Sequence, residues 1–465
     1  MSILSSDSPA TKLDTGFEST GIERVEEHDR AHTQLTDTMW LWWSANSVVA
    51  TVALGALAFD FFNLGFWGAI AVIVIFNLLG ALPVAFLSTL GPKTGLAQMP
   101  LSRFSFGLQG AKLPAFFNAV ACIGWSAVNV VIGASLLVAW SGGSLPLWIA
   151  LIILAVLTTI VSVFGYYIVH RYERFAWMPM VLLFGYVAFA ASPHFNIAIP
   201  TTATGLALFS SIATFGGAIF GYAVGWTSYA ADYTRRQPHE TPASKVFTYA
   251  LLGVTIPCIL LETLGVLIAT TLPASTQVLP LPGQLISGAV GLGAIPSLVI
   301  LLLAFSTIAN NVPNDYSFAL SLQVLGVKIP RWILTLVGAV IYIAIAVYIQ
   351  DRFNGTLENF LLLIAYWLGS YSIIMFLEDR FRKNTYPVQD YTDGSKLPVG
   401  IAAVVSMLVG LAIASIGIQQ KFTIGYEGFL STKLMDADIG FPLAVIATGI
   451  LFYILRKWEM ARFKR

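Results

Sequence analysis

The stretch Ser306-Thr-Ile-Ala-Asn-Asn-Val-Pro-Asn-Asp315 lies inside an apolar run that extends from about residue 289 to 325. Ser306, Asn310 and Asn314 step by four and so share one face of a helix. Pro313 has no N–H to give to the carbonyl of Ala309, which leaves that oxygen available as a ligand. An unpaired polar group in hydrocarbon costs several kcal/mol. Three asparagines around a proline at this depth therefore point to a cavity or a polar helix contact, and simple packing does not account for them.

The rest of the chain supplies the membrane that this argument assumes. Of 465 residues 57% are hydrophobic and 11% charged, with a mean hydropathy of +0.78. A soluble chain carries roughly 25% charged residues. Crossing the bilayer core takes about 20 apolar residues, and about twelve such stretches occur, near 40–62, 66–90, 113–141, 145–168, 175–193, 204–231, 246–273, 289–325, 331–350, 357–378, 398–420 and 439–456. The polar, acidic first 35 or so residues lack the charged start and apolar core of a signal peptide and read as a disordered cytosolic tail. The net charge of +1 gives no pull toward nucleic acid. Cys122 and Cys258, the two cysteines, sit in apolar runs and read as packing residues.

Charge fixes an expected orientation. With the N-terminus inside and twelve crossings, 22 of the 25 Lys and Arg fall in cytosolic segments, and Arg352, Lys421 and Lys433 stay outside. Miscounting one span would swap every later loop, so both termini are expected in the cytoplasm of an integral multi-pass cell-membrane protein. The loops are too short for a soluble catalytic domain, and no histidine lies deep in a span. An enzyme is therefore not expected, nor a cofactor or metal site.

Three more stretches carry polar groups where hydrocarbon is expected. In Trp40-Leu-Trp-Trp-Ser-Ala-Asn-Ser47, Ser44, Asn46 and Ser47 follow a tryptophan cluster. This is either an aromatic belt at a helix start or a discontinuous helix facing a central site. In Gly124-Trp-Ser-Ala-Val-Asn129, Trp125 and Asn129 share a face. They form either a helix-packing pair or a stacking surface with an amide one turn away, as a flat heteroaromatic ligand requires. In the sixth span Gly217, Gly221 and Gly225 recur every four residues before Trp226 and Ser228. That spacing suits close helix packing and equally a helix able to unwind. Glu262, mid-span in the seventh stretch, has no evident cation beside it and is either protonated or a proton-coupling group.

These sites fall on spans one, three, six and eight. Spans five apart cross in opposite directions, so an inverted repeat of five helices plus five, followed by two trailing helices, would gather all four at the midplane. The corresponding segments are 1–38 (tail), 39–195 and 204–380 (repeats), 397–457 (trailing helices) and 458–465 (tail).

Ile308-Ala-Asn-Asn-Val-Pro-Asn-Asp-Tyr-Ser317, the Trp125/Asn129 pair, Val224-Gly-Trp-Thr-Ser-Tyr-Ala-Ala-Asp-Tyr233 and the Trp-Ser-Ala-Asn opening resemble the purine–cytosine permeases of the nucleobase–cation symporter family, from about residue 20 to the end of the tenth span. The resemblance implies an all-α LeuT-type fold and uptake of a nucleobase with a co-transported cation, H+ or Na+. It implies that Trp125 and a sixth-span aromatic, Trp226 foremost with Phe220 or Tyr222 as substitutes, sandwich the base. Asn129 and Asn314 would bond its edge, Asn310 and Pro313 would shape the floor, and Ser44 would lie near the substrate. Sodium-using members place a Ser/Thr pair five and six residues before the second asparagine. Here those positions are Ala309 and Ile308, with Ser306 and Thr307 two residues early. Proton coupling through Glu262 is therefore favoured. Cytosine, adenine, hypoxanthine and guanine are the first candidates, and hydroxymethylpyrimidine, thiamine, pyridoxine and hydantoin or allantoin remain open. A monomer in contact with membrane lipid is expected. A channel, which would need a filter, and a receptor, which would need a signalling domain, are the other readings.

Overall fold

A computed structural model of the chain describes residues 22–30, 34–60, 62–164, 166–273 and 278–465. Eight helical stretches are long and apolar enough to cross a membrane, and one of them, Arg331–Phe381, contains two successive helices. A bent pair and two shorter apolar helices complete twelve crossings among the described residues. We number them α1 to α12. The first is α1, split into Thr36–Asn46 and Val49–Asp60, followed by α2 (Phe66–Ser88), α3 (Lys112–Trp140), α4 (Leu147–Phe164), α5 (Tyr166–Ala191) and α6 (Gly205–Val224). The second half holds α7 (Ala243–Ala269), α8 (Ala294–Val324), α9 (Arg331–Ile349), α10 (Phe353–Phe381), α11 (Ile401–Ala414) and α12 (Gly440–Phe463).

Small residues let the helices meet backbone to backbone. A Cβ on Gly55 of α1 would fall 1.9 Å from the Glu262 carbonyl oxygen, and one on Gly265 of α7 the same distance from that of Val52. A Cβ at Gly221 of α6 would lie 2.0 Å from the Leu361 carbonyl of α10, and one at Gly133 of α3 2.4 Å from Thr307 Oγ1 of α8. Such spacing is how membrane helices gain packing without a hydrophobic driving force between them. One group forms around α1, α2, α6 and α7, and the other around α3, α4, α8 and α9.

Helices α11 and α12 are tied to α10 by charge. Arg456 donates from Nε and Nη2 to the Glu378 carboxylate at 2.7 and 2.8 Å. Glu459 accepts the N–H groups of Gly400 and Ala402 at the start of α11. Residues 22–30, placed in the tail by the sequence, pack on the loop after α2: Val25 N–H donates to Gly95 and Arg30 to the Pro92 carbonyl. Arg465 bonds the Gly394 and Ser395 carbonyls, and Arg103 joins the α2–α3 connection to Tyr391. Residues 22–30 and Arg465 thus sit at the same end of the bundle.

Three expected boundaries shift. The break expected near 168–175 is helical, α5 beginning at Tyr166. The stretch from 289 begins as a separate helix, Pro282–Val290, whose Gly283 sits against the Ser135 carbonyl of α3. The eleventh span, expected over 398–420, is helical only to Ala414; a short hairpin pairing Gln419 with Glu427 follows. There Gln419 and Gln420 are drawn into bonds with Asp438, Asn359 and Tyr366, and hydropathy cannot register that pull. Residues 1–21 and 31–33 of the expected tail, His32 among them, lie outside the described residues.

Candidate functional site

The first helix breaks between Asn46 and Val49 with a bend of 56°, and its freed backbone groups find partners nearby. Asn46 turns its own amide back to the Trp42 carbonyl at 2.8 Å, Thr51 Oγ1 donates to the Asn46 carbonyl at 2.7 Å, and Asn310 of α8 donates to the Ala45 carbonyl at 2.8 Å. A short polar side chain that competes for backbone bonds is what ends a helix locally. The sixth helix ends at Val224 and tightens into a 3-10 turn over Gly225–Tyr229. The two breaks are stitched together: Trp226 Nε1 donates to Asn46 Oδ1 at 2.8 Å, and the Thr51 and Tyr222 hydroxyls lie 2.6 Å apart.

Between the breaks and the pair α3/α8 lies a small cavity lined by Ala50, Trp125, Tyr222, Gly225, Trp226, Tyr229, Asn310 and Asn314. Four rings converge on it. Trp125 meets Tyr222 edge to face at 5.6 Å, and Trp226 meets Tyr229 in the same way at 5.7 Å. Tyr229 donates its hydroxyl to Asn314 Oδ1 at 2.9 Å. A second small cavity adjoins it through Asn310 and is lined by Ser44, Ala45, Ser47, Val48, Ser306, Ala309 and Pro313, with Ala176 and Met180 of α5.

The sequence-derived residues therefore divide. Trp125, Trp226, Asn310 and Asn314 come together at the first cavity, and Ser44, Ser306, Ala309, Asn310 and Pro313 at the second. Asn129 is buried behind the first cavity and donates to Asn311 Oδ1 at 3.3 Å, an oxygen that Asn314 also reaches at 3.3 Å. Thr307 points the other way, against Gly133, with its hydroxyl on the Ala304 carbonyl. Pro313 does not interrupt α8, which is helical throughout. Glu262 lines neither cavity; fully buried, it accepts from Asn77 Nδ2 at 2.5 Å, and its other oxygen has no partner among the described residues. It stands one turn from Cys258, whose thiol reaches Asn46 Oδ1 at 3.2 Å.

Asn311 and Tyr229 escape the sequence reading. The helix pattern carried the missing signal, because Thr307, Asn311 and Asp315 form a second polar row beside Ser306, Asn310 and Asn314. That row faces α3 and α4, where Ser162 donates to Asp315 at 2.5 Å.

Residues 24–437 match the family model described as a permease for cytosine/purines, uracil, thiamine, allantoin. The chain belongs to that permease family. It is a membrane transporter and not an enzyme. The purine-cytosine permease fcyB of Emericella nidulans is 37% identical over 97% of this chain and 90% of its own length. The purine-cytosine permease FCY2 of Saccharomyces cerevisiae is 34% identical over 96% and 87%. Among solved structures the permease resembles Mhp1, a nucleobase-cation-symport-1 family transporter, in a closed conformation with bromovinylhydantoin bound. The TM-score is 0.71 at 17% identity, over 95% of each chain. At that identity the likeness establishes a shared fold, the LeuT-type fold with its broken first and sixth helices.

Proposed function

We propose that this permease is a secondary active symporter that imports a nucleobase, cytosine or a purine, together with a cation, with H+ favoured over Na+. The observation that carries this reading is the first cavity, where tryptophan faces and asparagine amides meet between two helix breaks. Trp125 and Trp226 stack on the base. Asn314 bonds its edge, and Asn129 reaches that edge by exchanging its bond to Asn311. Asn310 and Pro313 shape the floor toward the second cavity, which Ser44 borders. The names and family of the relatives, purine-cytosine permeases at 34–37% identity, support the substrate class. An apolar slot with a few convergent polar groups is the usual form of a small-molecule site.

The preference for protons rests on three features. The Ala45 carbonyl, freed by the break and suited to a sodium ion, is taken by Asn310. Thr307 faces away from the second cavity, leaving Ser306 beside Ala309. Glu262 stands one helical turn from Cys258, whose thiol reaches Asn46 at the break, and has an oxygen without a partner among the described residues. The group α1, α2, α6 and α7 rocks against its partner group, and each ligand favours closure when the other is bound. The chain works as a monomer with its termini in the cytoplasm.

The test is uptake of radiolabelled cytosine and adenine into proteoliposomes under an imposed pH or sodium gradient. Asn314→Ala raises KM about 10- to 100-fold, the cost of one buried hydrogen-bonding partner; unchanged affinity would sink the site assignment. Glu262→Gln abolishes accumulation driven by pH while leaving base exchange, and intact uphill uptake would remove the proton pathway. Accumulation driven by sodium alone would reverse the choice of ion.

A further inference from the structure

Tyr229, in the 3-10 turn after α6, lines the first cavity and is buried. Its hydroxyl opens a chain of side-chain bonds that runs on into α8 and α3. The hydroxyl donates to Asn314 Oδ1 at 2.9 Å, Asn314 Nδ2 donates to Asn311 Oδ1 at 3.3 Å, and Asn129 Nδ2 donates to that same oxygen at 3.3 Å. Cys122 Sγ stands 3.2 Å from the hydroxyl. Asn311 Nδ2 is buried and has no partner among the described residues.

An amide has a donor end and an acceptor end, so the three asparagines are not independent. Turning the Asn314 amide over would set its oxygen against Asn311 Oδ1. Asn311 would then have to turn as well, which would bring its NH2 group against that of Asn129 and force a third reversal. The amides therefore have two collective settings. In the reverse one, Asn311 would give its N–H groups to Asn314 and Asn129 and leave an oxygen orphaned, which buried sites tolerate better than an orphaned N–H. The asparagines alone thus give no preference for the setting found, and Tyr229 supplies one. Here its phenolic proton goes to an amide oxygen. In the reverse setting the hydroxyl would accept from Asn314 and pass its proton to the Cys122 sulfur, a weak acceptor.

The setting decides what Asn314 offers a ligand. With one lone pair taken by Tyr229 and one proton by Asn311, Asn314 keeps an acceptor on the Tyr229 side and a donor on the Asn311 side for the cavity that it lines. Cytosine carries an amino donor beside the N3 acceptor, and adenine an amino donor beside N1. Uracil carries the reverse order, the O4 acceptor beside the N3–H donor. Turning uracil over restores the order only by bringing its O2 to where cytosine has its C5–H. We propose that Tyr229 is a specificity-determining positioning residue: its bond to Asn314 holds the amide chain in the setting that reads an amino group beside a ring nitrogen and rejects the uracil edge. The inference rests on the nucleobase reading above and goes beyond it in naming the edge that is read.

The test is equilibrium binding of radiolabelled cytosine and uracil to the full chain purified in detergent. The parent binds cytosine at least about 10-fold more tightly than uracil, the cost of one mispaired buried edge. Tyr229→Phe, which keeps the ring and removes the proton, brings the two within about threefold, chiefly by weakening cytosine. Cys122→Ala removes the other acceptor of the hydroxyl and keeps the ratio or raises it. Lost packing around Tyr229 would weaken both bases alike, so a Tyr229→Phe protein with an unchanged ratio, whatever its affinity, overturns the proposal. A collapse of the ratio in Cys122→Ala overturns it too, and the parent and Cys122→Ala ratios decide the matter should Tyr229→Phe fail to fold. A parent that binds the two bases equally removes this inference and leaves the nucleobase site standing; a parent that binds neither removes both.

Discussion

Helices α1 and α8 face each other across the second cavity and behave in opposite ways. The first breaks at Asn46–Val49 with no proline near, whereas the eighth carries Pro313 and stays helical. Pro83, Pro179 and Pro257 likewise sit inside continuous helices. Losing one donor does not open a helix when the orphaned carbonyl lies beside a cavity, as that of Ala309 does. Capture of several carbonyls does. In α1 those of Trp42, Ala45 and Asn46 are each bonded by a side chain. The break in α1 comes with competing donors, and a missing donor is not sufficient to open α8.

The largest expected effect tests that contrast directly. Asn310→Leu strips the Ala45 carbonyl of its partner and should lower kcat/KM for base uptake on the order of 100-fold, from a buried acceptor worth about 1–3 kcal/mol plus a lost cavity amide. Pro313→Ala restores a helix bond and should cost less than about 10-fold. Equal losses would make the proline an active part of the break and end the comparison.

A second pair sharpens it within one helix. In α6, a Cβ at Gly221 meets the Leu361 carbonyl at 2.0 Å, while one at Gly225 first meets the Trp125 ring at 3.4 Å. Gly221→Ala should lower Tm by at least about 5 °C through overpacking, and Gly225→Ala by no more than about 2 °C. The reverse order in a detergent melt would show that the break, and not the α6–α10 contact, limits stability.

The smallest effect concerns the connection after α6. Burial pushes the Asp232 carboxyl up to about 6, partly offset by Arg235 and by the Gln98 N–H that it accepts at 2.6 Å. A carboxyl raised in the native state holds a proton there that the unfolded chain has released. Its contribution is therefore favourable at low pH and lost as pH rises from about 4 through about 6. Asp232→Asn, which cannot ionise, should match the parent near pH 3.5, below the unfolded-state value, and exceed it by a degree or two near pH 7. A pH-independent difference in Tm would refute the assignment.

The span count and the four polar stretches were legible in the sequence, because crossing hydrocarbon requires length and apolarity that few residues can disguise. Trp125, Trp226, Asn310 and Asn314 could be picked out as misfits to that rule. Where they point could not. Asn310 and Asn311 are adjacent asparagines of the same chemistry, yet one reaches α1 and the other α3, a choice made by the 100° turn between neighbours and by which helices stand there. The end of α11 at Ala414 was hidden for the same reason, since the partners that draw out Gln420 lie some 60 residues away.

By itself, then, the sequence determined that this is a twelve-span membrane protein with polar groups at bilayer depth, since local composition alone sets the cost of meeting lipid. The tertiary structure decided which polar face looks into which cavity, where α1 and α6 open, and how the chain after Ala414 is drawn to α10. Each of those depends on a donor or acceptor supplied by a distant helix, and a chain read residue by residue holds no record of that distance.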